Sequence, residues 1–272
     1  MRPNEVRRRW AAGEPAICGW LSLGSSYAAE VVGWSGVDCV TADLQHGMAD
    51  VQTVIGMLQA ISATPATPFV RVPSLDPPLL MKALDAGAYG VICPMVDSVE
   101  QARTLVQATR YPPRGNRSFG PARGLLYGGS DYFANADETI VRLAMIETSL
   151  GLAAVEEICA VDGLDGIFVG PNDLGLALDK GASGDPSDPV TRAAIARCVR
   201  AAKQASKHIG IFCPSGAVAA RCISEGFDFV VPNSEVNLMR AAVTAEAQIA
   251  RQASARAVVD TSGPNSTARR GS

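Results

Sequence analysis

PFVRVPSLDPPLLMKALDAGAYGVICPMV, residues 68–96, holds one complete strand–helix–strand unit. Pro68–Val72 and Gly90–Val96 are short, nearly continuous apolar runs, the pattern of strands buried on both faces. Pro77–Ala86 between them reads as a helix, stopped at Gly87. Strands joined in this way lie parallel, with a right-handed crossover.

The same alternation recurs in both directions. Further strands are expected near Ala16–Leu23, Val37–Leu44, Val141–Glu147, Gly166–Gly170, His208–Cys213 and Phe227–Pro232. Further helices are expected at Asp50–Ile61, Ser98–Ala108, Leu152–Ala160 and Pro189–Ser206. Eight β-then-α units close most naturally into a (β/α)8 barrel, the TIM barrel. The rival is a doubly wound open sheet. Such sheets start from a Gly-rich phosphate turn after the first strand, and Gly24-Ser25-Ser26 is a poor version of one. The 272 residues suit one barrel, since such domains run to about 250 residues. The expected organisation is a single barrel domain over residues 1–252 and a disordered tail over 253–272. From Ser254 the chain is Ser, Thr, Gly and Arg with no period. Pro112–Ala136 is too long for an ordinary connection and is expected to be a lid, an interface arm or disordered.

Composition narrows the function classes. Apolar residues make up 47 %, charged residues 19 %, and the formal net charge is -3. That balance supplies a large core and no electrostatic case for nucleic acid. No apolar run reaches the roughly 18 residues of a membrane span. Arg2, Arg7, Arg8 and Arg9 make the N-terminus basic, but Glu14 and Pro15 follow instead of an apolar signal region. The seven cysteines form no Cys-x-x-Cys pair, and most lie in apolar strand-like runs. They read as reduced core thiols of a cytoplasmic protein.

In a barrel the chemistry sits where strands end. The ionisable residues at the expected strand ends are Asp43 and His46 after the second strand, Arg71 in the third, Glu147 closing the fifth and Asp173 just past the sixth. A carboxylate ending an apolar strand must be paired, solvated or on a metal, so Glu147 is either a metal ligand or an arginine partner. Asp173 is a second ligand or a helix N-cap. Two such carboxylates suit a hard divalent ion, Mg²⁺ or Mn²⁺, and nothing clusters His or Cys for structural zinc. His46, three residues after Asp43, is either a base whose orientation a carboxylate sets or a structural histidine. Arg71 needs an anion: a substrate carboxylate or enolate oxygen, or else Glu147 or Asp43. His208 precedes its strand, at the opposite face, and receives no role.

The lysines are Lys82, Lys180, Lys203 and Lys207. Three are expected in helices and one in a loop, none ending a strand. A Schiff-base aldolase needs a lysine in the barrel mouth. Enolate stabilisation by a divalent metal ion is the route left open.

At these residues the sequence closely resembles the HpcH/HpaI aldolase/citrate lyase family of the phosphoenolpyruvate/pyruvate superfamily. The matching motifs are ADLQHG (42–47), FVRVP (69–73), LDAGAYGVICPMV (84–96), GNRSFGPARG (115–124), AMIET (144–148) and GPNDLG (170–175). The resemblance implies a class II pyruvate aldolase, reversibly cleaving 4-hydroxy-2-oxo acids to pyruvate and an aldehyde. Its cofactor would be Mg²⁺, Mn²⁺ or Co²⁺. It aligns Glu147 and Asp173 with the metal ligands, Arg71 with the pyruvate-binding arginine and His46 with the catalytic base. Asp43 and Asp85 match acids that support that histidine. It further implies a homo-hexamer with an exchanged C-terminal helix. Asp85 lies near the end of its helix, on the face away from its own barrel mouth, so it would serve a neighbouring subunit. Backbone N–H groups of the Gly170–Leu174 turn (Gly170, Pro171, Asn172, Asp173, Leu174) would hold the substrate carboxylate.

There are departures. Met145 stands where many members carry Gln, and Met cannot make the same hydrogen bond. IFCPSG (211–216) also differs, and aldehyde choice is expected to differ with it. The alternatives are an oxaloacetate decarboxylase or cyclising synthase, an acyl-CoA lyase of the same superfamily, and a catalytically silent barrel serving as a scaffold.

Overall fold

The structure, a computed structural model, describes the backbone of residues 1–260 and the side chains through Gln252. Its eight strands are β1 (Ala16–Leu21), β2 (Cys39–Asp43), β3 (Thr67–Arg71), β4 (Gly90–Cys93), β5 (Val141–Ile146), β6 (Gly166–Val169), β7 (His208–Cys213) and β8 (Phe229–Pro232). They pair in sequential order, all parallel, and β8 closes back onto β1. The expected barrel is the observed one.

Among the described residues thirteen helices accompany them: α1 (Glu5–Ala11), α2 (Ser26–Gly33), α3 (Val51–Ser62), α4 (Pro77–Asp85), α5 (Val99–Thr109), α6 (Ala122–Gly128), α7 (Tyr132–Thr139), α8 (Ser149–Ala153), α9 (Val155–Cys159), α10 (Pro171–Ala177), α11 (Pro189–Gln204), α12 (Gly216–Ser224) and α13 (Glu235–Asp260). Most long ones start on a side-chain cap. Ser25, Asp50, Asp76, Ser98, Asp188 and Ser215 each accept a backbone N–H of the first turn, which satisfies a donor the helix itself cannot. The sequence reading did not anticipate α1. Its Val6 and Trp10 are buried, and the Trp10 indole N–H donates to the Asp228 carbonyl at 2.8 Å.

Two apolar layers hold the barrel, because successive strand residues point to opposite faces. The lumen takes Cys18, Trp20, Phe69, Leu143, Met145, Phe168 and Phe229, together with Val6 and Trp10. The shell between strands and helices takes residues such as Val70, Ile146 and Val169. Aromatic filling needs glycine opposite. A Cβ on Gly90 would lie 2.2 Å from the Phe69 ring, and one on Gly210 would lie 2.7 Å from the Phe168 ring. All seven cysteines are buried and free. Burial pushes the thiols of Cys93, Cys159 and Cys198 up to about 12, which makes them inert apolar packing.

Three expectations are corrected. The 112–136 stretch is not irregular: it contains α6 and enters α7. Arg117, 1 % exposed, pins it by donating to Asp85 at 2.7 Å and to the Tyr132 hydroxyl at 3.1 Å. The Arg117 guanidinium also lies 4.5 Å over the Tyr111 ring. The helix expected over 152–160 is two short ones, α8 and α9. Lys207 is not helical; it precedes β7 and donates to the Leu164 carbonyl at 2.7 Å.

Residues 1–235 form one compact unit that holds the whole barrel, and a second begins at Val236. Helix α13 continues through Asp260, past the point where the tail was expected to begin. The rest of that expected tail, 261–272, lies outside the described residues. Among the described residues no helix is long and apolar enough to cross a membrane.

Candidate active site

A cavity of about 180 Å³ opens at the C-terminal ends of the strands. Asp43, His46, Arg71 and Asp173 line it, with Gly170, Pro171 and Asn172 beside them. These residues come from three βα connections and converge because parallel strands present their ends on one rim.

Asp43 ends β2 and Arg71 ends β3, and the two are register partners. Arg71 Nε donates to Asp43 Oδ1 at 2.8 Å and Nη2 donates to Oδ2 at 2.5 Å. Asp43 Oδ1 also accepts the backbone N–H groups of Gln45 and His46, at 3.0 and 3.3 Å. Burial pushes the Asp43 carboxyl up, but Arg71 and those two N–H groups outweigh it and hold it below the usual range. Of the two readings open for Arg71, the Asp43 pair is present, and the guanidinium still faces the cavity. The carboxylate reaches the His46 backbone; its hydrogen bonds do not include the imidazole.

Glu147 follows β5 and is 4 % exposed. Its Oε1 accepts the Met95 N–H at 2.7 Å. It adjoins the cavity through Gly170, where a Cβ would meet Glu147 Oε2 at 2.7 Å. Burial raises its pKa, and the Asp173 charge adds to that; the Met95 N–H and Arg71 only partly oppose it. Among the described residues no arginine salt bridge holds Glu147. Asp173 does not cap its helix. Gly170 is the N-cap of α10, and Asp173 lies exposed in the first turn. Two neighbouring carboxylates, one buried with its charge only partly offset, are a donor set that fits a hard divalent cation.

The carboxylate-binding turn is narrower than expected. Pro171 has no N–H. Leu174 is buried in the core, and its N–H already donates to the Gly170 carbonyl at 2.9 Å. The donors left in the first turn are those of Asn172 and Asp173. Asp85, at the end of α4, is not on the cavity wall; Arg117 holds one of its oxygens. No lysine lines the cavity.

The sequence reading missed several wall residues: Trp20, Ser22, Phe168, Phe212 and Ser234. Ser22 directly follows β1 and Ser234 lies two residues past β8, so the strand-end criterion would have found them had it included hydroxyls. The aromatics look like core from sequence, since they sit within apolar strands.

A larger void of about 570 Å³, lined by Ile195, Val199, Val218 and Cys222 among others, lies between α11 and α12. It contains none of the strand-end acids and bases.

The chain belongs to the HpcH/HpaI aldolase/citrate lyase family, whose model matches residues 17–242. It is 46 % identical over 239 residues to a hydroxypyruvate/pyruvate aldolase of Rhizorhabdus wittichii, covering 88 % of this chain and 95 % of that protein. It is 37 % identical over 242 residues to a 5-keto-4-deoxy-D-glucarate aldolase of Klebsiella pneumoniae, covering 88 % and 94 %. A solved HpcH/HpaI aldolase/citrate lyase family protein from Burkholderia cenocepacia superposes with a TM-score of 0.84 at 33 % identity, covering 91 % and 99 %. The chain is therefore an enzyme, a carbon–carbon lyase of the aldolase type.

Proposed function

We propose that this aldolase reversibly cleaves 4-hydroxy-2-oxo acids to pyruvate and an aldehyde, with a divalent cation (Mg²⁺, Mn²⁺ or Co²⁺) held by Glu147 and Asp173. One observation carries the reading: the buried Glu147 carboxylate, its charge only partly offset, adjoins through Gly170 a small strand-end cavity lined by a second carboxylate, Asp173, and by Arg71. The cavity's 180 Å³ is below the roughly 300–1,000 Å³ of drug-sized sites, which favours small oxo acids over acyl-CoA thioesters. The aldolase names of the relatives point the same way.

The cation, when bound, supplies Lewis-acid stabilisation of an enolate. His46 takes the proton of the C4 hydroxyl. The oxygen lone pair left behind forms the aldehyde carbonyl as the C3–C4 bond breaks, and its electrons pass to the enolate. Arg71 donates to the 2-oxo oxygen, in the bound substrate and in the enolate alike. The N–H groups of Asn172 and Asp173 orient the substrate carboxylate. Protonation at C3 completes pyruvate.

A homo-hexamer is part of the proposal, with Asp85 serving the His46 of a neighbouring copy. Its support is the pair of exposed rings, Phe119 and Phe133, packed with the buried Tyr111 at centroid distances of 5.0–5.8 Å, beside the Asp85–Arg117 pair. Phe119 and Phe133 are 63 % and 52 % exposed, which is costly unless another surface covers them. We place the enzyme in the cytoplasm, in keeping with its reduced core cysteines.

The deciding experiment is pyruvate release from a panel of 4-hydroxy-2-oxo acids, with chelator and with each cation restored. Activity should vanish in chelator and return with the metal. Glu147→Gln and Asp173→Asn should each weaken cation affinity measured by calorimetry. Borohydride with pyruvate should leave lysine unmodified; a trapped lysine adduct, or full activity in chelator, would falsify the reading.

A further inference from the structure

Trp20 stands on β1, is 4 % exposed and forms part of the cavity wall. Its indole touches both members of the Asp43–Arg71 pair. The indole N–H donates to Asp43 Oδ2 at 3.3 Å. The ring face lies 4.8 Å from the Arg71 guanidinium carbon. The indole is itself held: Phe168 packs at 5.9 Å in stacked orientation and Phe212 at 5.8 Å edge-on.

A side-on arginine–carboxylate pair fixes two N–H vectors but leaves the guanidinium free to swing about the line joining the two groups. An aromatic face in cation–π contact removes that freedom. The two Asp43 oxygens are also anchored differently. Oδ1 is tied to the backbone N–H groups of Gln45 and His46. For Oδ2 the donor other than Arg71 is the Trp20 indole. Trp20 thus braces the oxygen that the backbone does not hold and the face of the cation it pairs with.

We propose that Trp20 is a positioning residue: it sets the direction of the Arg71 N–H groups not committed to Asp43, and through them the affinity for the 2-oxo acid. The inference rests on Arg71 being the substrate-binding arginine. Because Trp20 acts through Arg71 on a group bound in ground and transition states alike, its loss shows mainly in KM.

The test is enolisation of pyruvate in D2O with Mn²⁺ present, read by NMR as loss of the methyl proton signal over a range of pyruvate concentrations. Trp20→Leu removes both the face and the N–H. It should raise the pyruvate KM about tenfold, the scale of one desolvated cation–aromatic contact, while kcat stays within about threefold. Trp20→Phe keeps a smaller aromatic face and loses the N–H, so its KM should rise about two- to threefold. Mn²⁺ affinity by calorimetry should be unchanged in both. An unchanged KM in Trp20→Leu, or a Phe variant as impaired as the Leu one, overturns the proposal. If the Leu variant does not fold, Trp20→Phe decides: a raised KM with kcat held supports it, an unchanged KM overturns it. Arg71→Ala, run alongside, separates the two failures, because normal enolisation in that variant overturns the substrate role of Arg71 itself.

Discussion

Arg71 and Asp43 face each other across neighbouring strand ends, two arginine nitrogens on two carboxylate oxygens at 2.8 and 2.5 Å. Arg71 is 9 % exposed and Asp43 1 %, so Asp43 has no water as an alternative partner and Arg71 is open only on the cavity side. Asp43→Asn keeps the shape and removes the charge. It should destabilise the fold by about 3–5 kcal/mol, the cost of stranding a buried partner, and raise the pyruvate KM. Urea unfolding and enolisation kinetics check both; unchanged values would mean that the pair is ornamental. The same pair gives a pH dependence. The folded Asp43 carboxyl titrates below its usual value, so its stabilisation is complete above roughly pH 4, the unfolded Asp range. It is lost as pH falls through the lower folded value. The Asn variant should therefore approach wild-type stability only in acid.

Gly170→Ala tests the contact between the carboxylate-binding turn and Glu147. Gly170 has φ of -95°, a backbone any residue adopts, so only the side chain matters. The added Cβ would sit 2.7 Å from Glu147 Oε2 and 3.1 Å from Glu147 Cβ, and the carboxylate must move. A displacement of this kind should cost about 10²-fold in kcat/KM with a raised cation Kd and little change in melting temperature. Wild-type cation affinity in that variant would separate Glu147 from the cation site.

The barrel was legible because each strand is a compact apolar run between turn residues. Its errors are informative. The expected strands overran the ladder at Leu23, Leu44, Val72, Val96, Glu147 and Gly170. Those positions are where the chain leaves the sheet to build the rim, so the overruns fall on or beside residues of the candidate site and its surroundings. Arginine in a strand proved an ambiguous signal. Arg142 is more deeply buried than Arg71, yet it meets Thr109 Oγ1 at 2.9 Å and the Ile140 carbonyl at 2.9 Å. What separates them is position: Arg71 ends its strand, and Arg142 is second in its own. Trp20 escaped notice because an apolar strand residue looks the same from sequence whether it fills the lumen or walls a site. The occupation of Leu174's N–H by the Gly170 carbonyl was likewise invisible, since it depends on where α10 begins.

His46→Ala should distinguish base from bystander. Aldol cleavage requires removal of the C4 hydroxyl proton, so it should fall about 10²–10⁴-fold. Decarboxylation of oxaloacetate reaches the same enolate without that proton transfer and should fall much less. Equal losses in the two reactions would show that His46 acts on the site as a whole and not as the aldol base.

Asp85 poses the question of assembly. It closes α4, away from the cavity, and its pairing with Arg117 leaves its side chain 27 % exposed. Arg117 is fully buried, so the pair holds Asp85 in a fixed direction instead of letting it lie in solvent. In the proposed hexamer, a carboxylate held so, with exposed Phe119 and Phe133 nearby, would meet a second copy across an apolar contact. Asp85→Asn keeps the hydrogen bond from Arg117 and removes the charge, so it should fold and assemble normally while turnover falls about tenfold or more. Mixing inactive His46→Ala subunits with Asp85→Asn subunits should restore part of the activity, because some interfaces then bring an intact His46 to an intact Asp85. Light scattering should give a hexamer for each parent and for the mixture. A fully active monomer, or an Asp85→Asn enzyme with unchanged turnover, would remove the trans contribution and leave the Glu147–Asp173 cation site standing.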